Sequence, residues 1–390
     1  MNGLSVSLME LAAKEQGLKD FGELDFVESL DKLLESVQAE ANLSDAGWAG
    51  FVAGIINHLK NRLRFQEDLK SHPAILSEDV SDPIIITGLS RTGTTKLQRI
   101  MAVDSNTQKL LLWQCMNPAP LADRVSEGEY IDPRIAIAKG SVDAFKQVSP
   151  DFIKAHSMGA ELPEEDSMLF QATFQSSTEG YFYNIPSFID WLAENRPLTN
   201  AYGYFKNLVQ YLQWQGGGKQ GRPWVLKGTP HLGLLDEVLE VFPNATIVQC
   251  HRDPKVAIPS LCRLNEAGRI SRGCNDLDFE AMGRFFTNFG ADMWERQLNQ
   301  LAKVEGRANI VDVYYDDIRD DAINVVRRIY RSRSMDLSKG AEQAMQSWEQ
   351  HNPQHVDGKH RYDLERYGLT KAEINKAFEK YLNRFPRAVA

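Results

Sequence analysis

Cysteine is scarce in this sequence. The 390 residues hold four, Cys115, Cys250, Cys262 and Cys274, and no two of them form a C-x-x-C pair. So few in so long a chain make no disulfide framework, and a reducing compartment is expected. Long apolar runs are missing too. No stretch reaches the roughly 18 apolar residues read as a membrane-crossing helix. Glu10 and Lys14 interrupt the N-terminal segment where a signal peptide keeps an apolar run. The expectation is a cytoplasmic protein. A basic excess is also absent, the formal charge being −9. A broad nucleic-acid footprint needs surplus lysine and arginine, so that partner class is disfavoured, while a local basic pocket stays open. The eight histidines show no metal-ligand spacing, and no metal is expected. There is no internal repeat and no low-complexity tract.

What is present is an ordinary globular composition, 43% apolar and 25% charged. A chain of this length suits one large domain or two smaller ones. The first eighty residues read as helical. Val27, Leu30, Leu33, Leu34 and Val37 share one helix face, and Val52, Ile55, Ile56, Leu59 and Leu63 share another. After a polar break at 77–83 come short apolar runs of strand length: 83–87, 109–113, 223–227, 245–250 and 308–313. Helical periodicity follows most of them, including a helix expected from about Asp320 to Arg333. Apolar strands alternating with helices imply an α/β fold with a parallel sheet covered on both faces. We read residues 1–390 as a single domain with a helical region over 1–80, an α/β core over 81–335 and helices over 336–390. A large helical insertion, about 118–218, interrupts the core.

The segment TGLSRTGTTKLQRI, 87–100, follows the first of these strands. Gly88 and Gly93 have the spacing of a nucleoside-triphosphate loop, G-x-x-x-x-G-K-[ST], but Thr94 stands where that motif has lysine. A glycine turn between a buried strand and a helix aims backbone N–H groups at one spot, and the helix N-terminus favours an anion there. Thr92, Thr94 and Thr95 add hydroxyls and Arg91 a guanidinium. A tight threonine-capped connection is the plainer reading. In a metal–triphosphate site the loop lysine and a neighbouring aspartate serve the phosphates and the magnesium. Here the segment QCHRDP puts Arg252 ahead of Asp253. A phosphate ester without the triphosphate charge fits better.

These residues carry a resemblance. TGLSRTGTTKL resembles the 5′-phosphosulfate loop of sulfotransferases that use 3′-phosphoadenosine 5′-phosphosulfate (PAPS), which reads T-Y-P-K-S-G-T-T-W in cytosolic members. Arg91 takes the place of its lysine, Thr92 of its serine, and Gly93, Thr94 and Thr95 match directly. Lys96 replaces the tryptophan. IVQCHRDPKVAIPSLCRL, 247–264, resembles the family's 3′-phosphate motif, a strand ending in arginine with serine eight residues later, as Arg252 and Ser260 are spaced. A surface ion pair of Arg252 with Asp253 is the plainer alternative. Pro259 is expected to kink or shorten that helix. The likeness runs from about Pro83 to Tyr330 and is closest to bacterial members of the superfamily.

The resemblance implies sulfuryl transfer from PAPS to a hydroxyl, or less readily an amine, without a metal. Lys227, in VLKGTPHLG, matches the family lysine that reaches the leaving oxygen. His231 stands two residues beyond the family's histidine base. The acidic cluster Glu164, Glu165 and Asp166 also offers a base, since a P-x-E-D segment recurs in bacterial members. Glu165 ranks ahead of His231, with His156 third. The plainer reading of the cluster is first-turn carboxylates of a helix. In cytosolic members a late R-K-G segment also binds the 3′-phosphate. Lys359 and Arg361, in GKHRY, have similar ingredients in another order and would close over the cofactor, with a solvated basic turn as the equal alternative. The insertion is rich in aromatics, among them Phe170, Phe174, Tyr181, Tyr183, Phe188, Tyr202 and Phe205. Such a stretch is ordinarily core, and part of it would suit an apolar acceptor: a small alcohol, phenol or lipid. Two rivals remain: a nucleotide kinase with an altered lysine, and a non-catalytic binder of adenosine 3′,5′-bisphosphate (PAP). The oligomeric state is not legible.

Overall fold

The computed structural model describes residues 3–121, 132–352 and 364–389. The chain groups into two compact units. One comprises Met1–Val80, Leu111–Gln220 and Ala267–Leu277; the other comprises Ser81–Leu110, Gly221–Glu266 and Asp278–Ala390.

The second unit holds the sheet. Its strands are β1 (Ile84–Gly88), β2 (Gln108–Lys109), β3 (Trp224–Lys227), β4 (Thr246–His251) and β5 (Asn309–Tyr314). All neighbours are parallel, in the order β2-β3-β1-β4-β5. Ile84 sits level with Val225 on one side and with Thr246 on the other. The central strand is fully buried on both faces, which is why it reads as an unbroken apolar run. Ile84, Ile86, Val225, Val248 and Val313 pack with Leu97, Ile100 and Met101 of helix Thr94–Met101. Ile318, Val326 and Ile329 of helix Tyr315–Arg331 join the same core. Each such side chain contributes roughly 1.5–3 kcal/mol by leaving water.

Three local expectations are revised. The run 109–113 is not a strand. Only Gln108 and Lys109 pair with β3, and Leu112–Met116 is helical. The amides of Leu112 and Trp113 donate instead to the carbonyls of Leu162 and Ala160, so no ladder continues. The helix after β5 starts earlier than Asp320, at Tyr315, but it breaks at Asp321 (φ −154°, ψ 70°). Asp321 Oδ1 accepts from the amide of Asn324 at 3.0 Å, so the aspartate restarts the helix as a cap would. Finally, Pro259 does not shorten its helix, which runs from Pro254 to Ser271. The missing N–H would have met the carbonyl of Lys255, so one intrahelical bond is lost while the helix continues.

The first unit is helical, built on Gly3–Gln16, Val27–Glu40, Asp45–Ser71, Pro133–Val148 and Thr199–Gln215. Val27, Leu30, Leu33, Leu34 and Val37 are all buried, and Ser44 caps the long third helix by accepting from the amide of Gly47 at 3.1 Å. The aromatics of the insertion are mostly core: Phe170, Phe174, Tyr181, Tyr183, Phe188, Tyr202 and Phe205 are buried. The Phe170 ring lies 5.0 Å from that of Tyr202, and Phe174 lies 5.5 Å from Phe26. The four cysteines are buried. No helix among the described residues is long and apolar enough to cross a membrane.

Candidate functional site

Everything at the carboxyl end of β1 depends on glycine. At Gly88 (φ +142°) a Cβ would stand 2.5 Å from the carbonyl oxygen of Cys250 on β4. Gly93 (φ +92°) precedes helix Thr94–Met101, and a Cβ there would meet Ile318 at 3.1 Å and Tyr315 at 3.3 Å. The backbone turns between them through Arg91, a non-glycine residue at φ +73°. Thr92 Oγ1 donates to the carbonyl of Leu89 at 2.7 Å and closes the turn.

Two further segments are tied to this loop. The first follows β3. Thr87 Oγ1 donates to the carbonyl of Gly228 at 3.0 Å, and the hydroxyls of Ser90 and Thr229 are 3.0 Å apart. These bonds hold the turn that carries Lys227 and His231. The Lys227 ammonium is 1% exposed and donates to Thr95 Oγ1 at 3.3 Å, at the first turn of the loop's helix. A charge held that deep is little screened by salt, so an anion at the turn would feel it strongly. Beside it, burial pushes the Cys250 thiol up to about 12, with the Lys227 charge pulling the other way. His231 is buried at the end of the short turn Thr229–His231. The amide of Gly233 beyond it donates to Gln297 Oε1 at 2.8 Å, and Gln297 Nε2 donates to Gln249 Oε1 at 2.8 Å.

The second segment is the end of β4 and the helix after it. Arg252 Nη1 donates to the carbonyl of Arg91 at 2.6 Å, and its guanidinium lies 3.7 Å over the ring of Tyr315. Ser260 is buried, and its Oγ accepts from Arg91 Nε at 3.0 Å. Arg91, Arg252 and Ser260 thus converge, although Pro259 precedes the serine. Asp253 does not monopolise Arg252: its Oδ1 accepts from the amide of Lys255 at 2.9 Å and starts the helix. Lys96 pairs with Glu349 at 2.9 Å and donates to the carbonyl of Arg319 at 3.3 Å.

Glu165 belongs to the other unit. It is half-buried, and its Oε2 accepts from Ser167 Oγ at 3.2 Å. Glu164 is buried and engages His156 Nε2 at 3.1 Å, so these two neighbours hold each other. Its Oε1 also accepts from the amide of Glu165 at 2.9 Å. Burial, with the nearby carboxylates of Glu164, Asp166 and Glu165, drives the Cys115 thiol well above its usual range. Lys359 and Arg361 lie outside the described residues.

Four residues carry no sequence signature that points to the site. Tyr315 supports Arg252. Ser90 and Thr229 form a hydroxyl bridge that no motif announces. Glu266 is buried on the helix that carries Ser260 and accepts from Arg263 (2.9 Å), Arg366 (2.8 Å) and Tyr367 (2.7 Å). Only the Arg263–Glu266 spacing is a local signal.

The comparisons with known proteins agree on one family. The sequence profile of the sulfotransferase family matches residues 83–339. The omega-hydroxy-beta-dihydromenaquinone-9 sulfotransferases Stf3 of Mycobacterium bovis and Mycobacterium tuberculosis are 21% identical over 252 residues, 64% of this chain and 62% of theirs. The chain thus spans less than two thirds of those relatives' length. Sulfotransferase STF9 of Mycobacterium avium superposes with a TM-score of 0.84 at 27% identity, covering 99% of this chain and 98% of that one. Sulfotransferase STF1 of Mycobacterium tuberculosis superposes with a TM-score of 0.77 at 28% identity, covering 96% and 98%.

Proposed function

The chain belongs to the sulfotransferase family, and from that premise we propose that it transfers a sulfuryl group from PAPS to a hydroxyl of a small apolar acceptor. The observation that carries this reading is the convergence of Arg91, Arg252 and Ser260 beside a glycine-opened loop. One adenosine bearing phosphates at both ends matches such a pair of anion sites. The backbone of Gly93, Thr94 and Thr95 with the threonine hydroxyls takes the 5′ end. Arg252 and Ser260 take the 3′-phosphate.

Transfer forms a bond from the acceptor oxygen to sulfur as the bond from sulfur to the 5′-phosphate oxygen breaks. PAP leaves with that electron pair, and a base removes the acceptor proton. Lys227 stands against Thr95 and steadies charge growing on the leaving oxygen. Glu165 takes the proton in our reading, with His231 as the alternative. The apolar acceptor is supported by the hydroxylated menaquinone in the name of the Mycobacterium relatives.

Calorimetric titration with PAP and with ATP–Mg²⁺ tests the ligand class. We expect PAP to bind more tightly. Tighter binding of ATP–Mg²⁺ would favour a kinase and overturn the reading. Transfer of labelled sulfate from PAPS to a panel of hydroxylated lipids then tests turnover; binding without turnover on any acceptor would leave a PAP binder instead of an enzyme.

A further inference from the structure

The family resemblance puts Arg91 at the 5′ end of the cofactor, because it stands in the 5′-phosphosulfate loop. The side chain points elsewhere, and we propose that it reads the 3′-phosphate, as a third arm beside Arg252 and Ser260. This rests on the function proposed above and narrows it.

Direction decides the matter. Arg91 is held at φ +73°, a conformation that L-residues other than asparagine and aspartate seldom adopt. That turn separates what its backbone does from what its side chain does. The carbonyl accepts from Arg252 Nη1 at 2.6 Å, while the guanidinium leads away to Ser260 Oγ at 3.0 Å. Both residues assigned to the 3′-phosphate are therefore bonded to residue 91, one through its backbone and one through its side chain. Ser260 is buried, and Arg91 Nε already holds its hydroxyl at 3.0 Å. A phosphate bonded to that hydroxyl comes within reach of the Arg91 guanidinium as well. Two guanidinium groups suit a phosphate dianion, and arginine's planar fork can meet two of its oxygens. The 5′ end keeps the loop's amides, the threonines and Lys227.

Arg91 thereby couples the two halves of the cradle. Its backbone shapes the loop for the 5′ end and its side chain checks the 3′ end. A ligand that lacks the 3′-phosphate would leave the guanidinium on Ser260 and gain nothing from it.

The test is the ratio of affinities for PAP and for adenosine 5′-monophosphate, by calorimetry on the full chain. Arg91→Gly removes the side chain while favouring the positive φ, and Arg91→Lys keeps the charge without the fork. Thermal unfolding confirms that each variant is folded. We expect Arg91→Gly to lose PAP affinity about tenfold to a hundredfold with the monophosphate changed less than about threefold. Arg91→Lys should fall between. Arg252→Ala is measured alongside. If it abolishes the preference for PAP and Arg91→Gly does not, the inference fails and the proposed function stands. Equal losses for both ligands in Arg91→Gly return the side chain to the 5′ end and also overturn it. If the wild-type chain shows no preference for PAP, the proposed function fails first.

Discussion

At the scale of single residues, the site is governed by where a side chain is forbidden and where a charge is confined. Gly93 occupies a left-handed conformation against Ile318 and Tyr315. Gly93→Ala adds backbone strain of roughly 1–2 kcal/mol and a contact that Ile318 must yield to. Urea unfolding should show a loss of about 1–3 kcal/mol, with weakened PAP binding; an unchanged midpoint would show that the turn is more pliant than its geometry implies. Lys227 is confined beneath the loop's helix. Lys227→Met keeps the packing and removes the charge, so kcat should fall about 10²–10³-fold with KM for PAPS changed much less. A loss confined to KM would move the lysine from the reaction to ground-state binding.

At the scale of elements, the site hangs on how segments far apart in sequence are tied together. The strands are legible in the sequence because β1, β3 and β4 are short runs rich in apolar and β-branched residues between turn signals. β2 is not, because two paired residues carry no periodicity, and the next amides bond elsewhere. The loop's glycines and the eight-residue step from Arg252 to Ser260 can be read. That Arg91 faces Ser260 cannot, since no local pattern links positions 169 apart. Glu266 is hidden for the same reason. Burial raises its carboxyl, but Arg366 and Tyr367 hydrogen bonds and the Arg263 charge more than offset that, leaving it below the usual range. A depressed carboxyl stabilises the fold above its unfolded pKa, and that contribution is lost as pH falls through the folded value. Glu266→Gln should therefore cost roughly 1–3 kcal/mol at neutral pH and progressively less in acid. A cost that persisted at low pH would point to packing instead of charge.

At the scale of the whole molecule, an acidic chain carries a locally basic cradle in one unit, and its stability is set partly by groups of the other unit. In the helical unit, burial pushes His58 down to about 4. In the same unit burial pushes Glu179 up to about 7, although the charge of Arg272 and the hydrogen bond from Gln171 oppose it. Their signs conflict. His58 makes the fold less stable as pH falls from about 6.5, because the unfolded chain binds its proton more readily. Glu179 makes it more stable over the same range, because the folded chain keeps a proton that the unfolded chain releases. Between about pH 5 and 6.5 the two contributions offset one another. Glu179→Gln keeps the amide contact and leaves His58 unopposed. Its stability should decline on acidification by up to about 1.4 kcal/mol per pH unit, against a flatter wild type in equilibrium unfolding. Parallel curves would remove one of these residues from the account. The measurement that bears most directly on the central claim is a crystal structure with PAP bound. The account predicts the 5′-phosphate at the start of helix Thr94–Met101 and the 3′-phosphate within hydrogen-bond reach of Arg252 and Ser260. A 3′-phosphate bound away from both residues would contradict it.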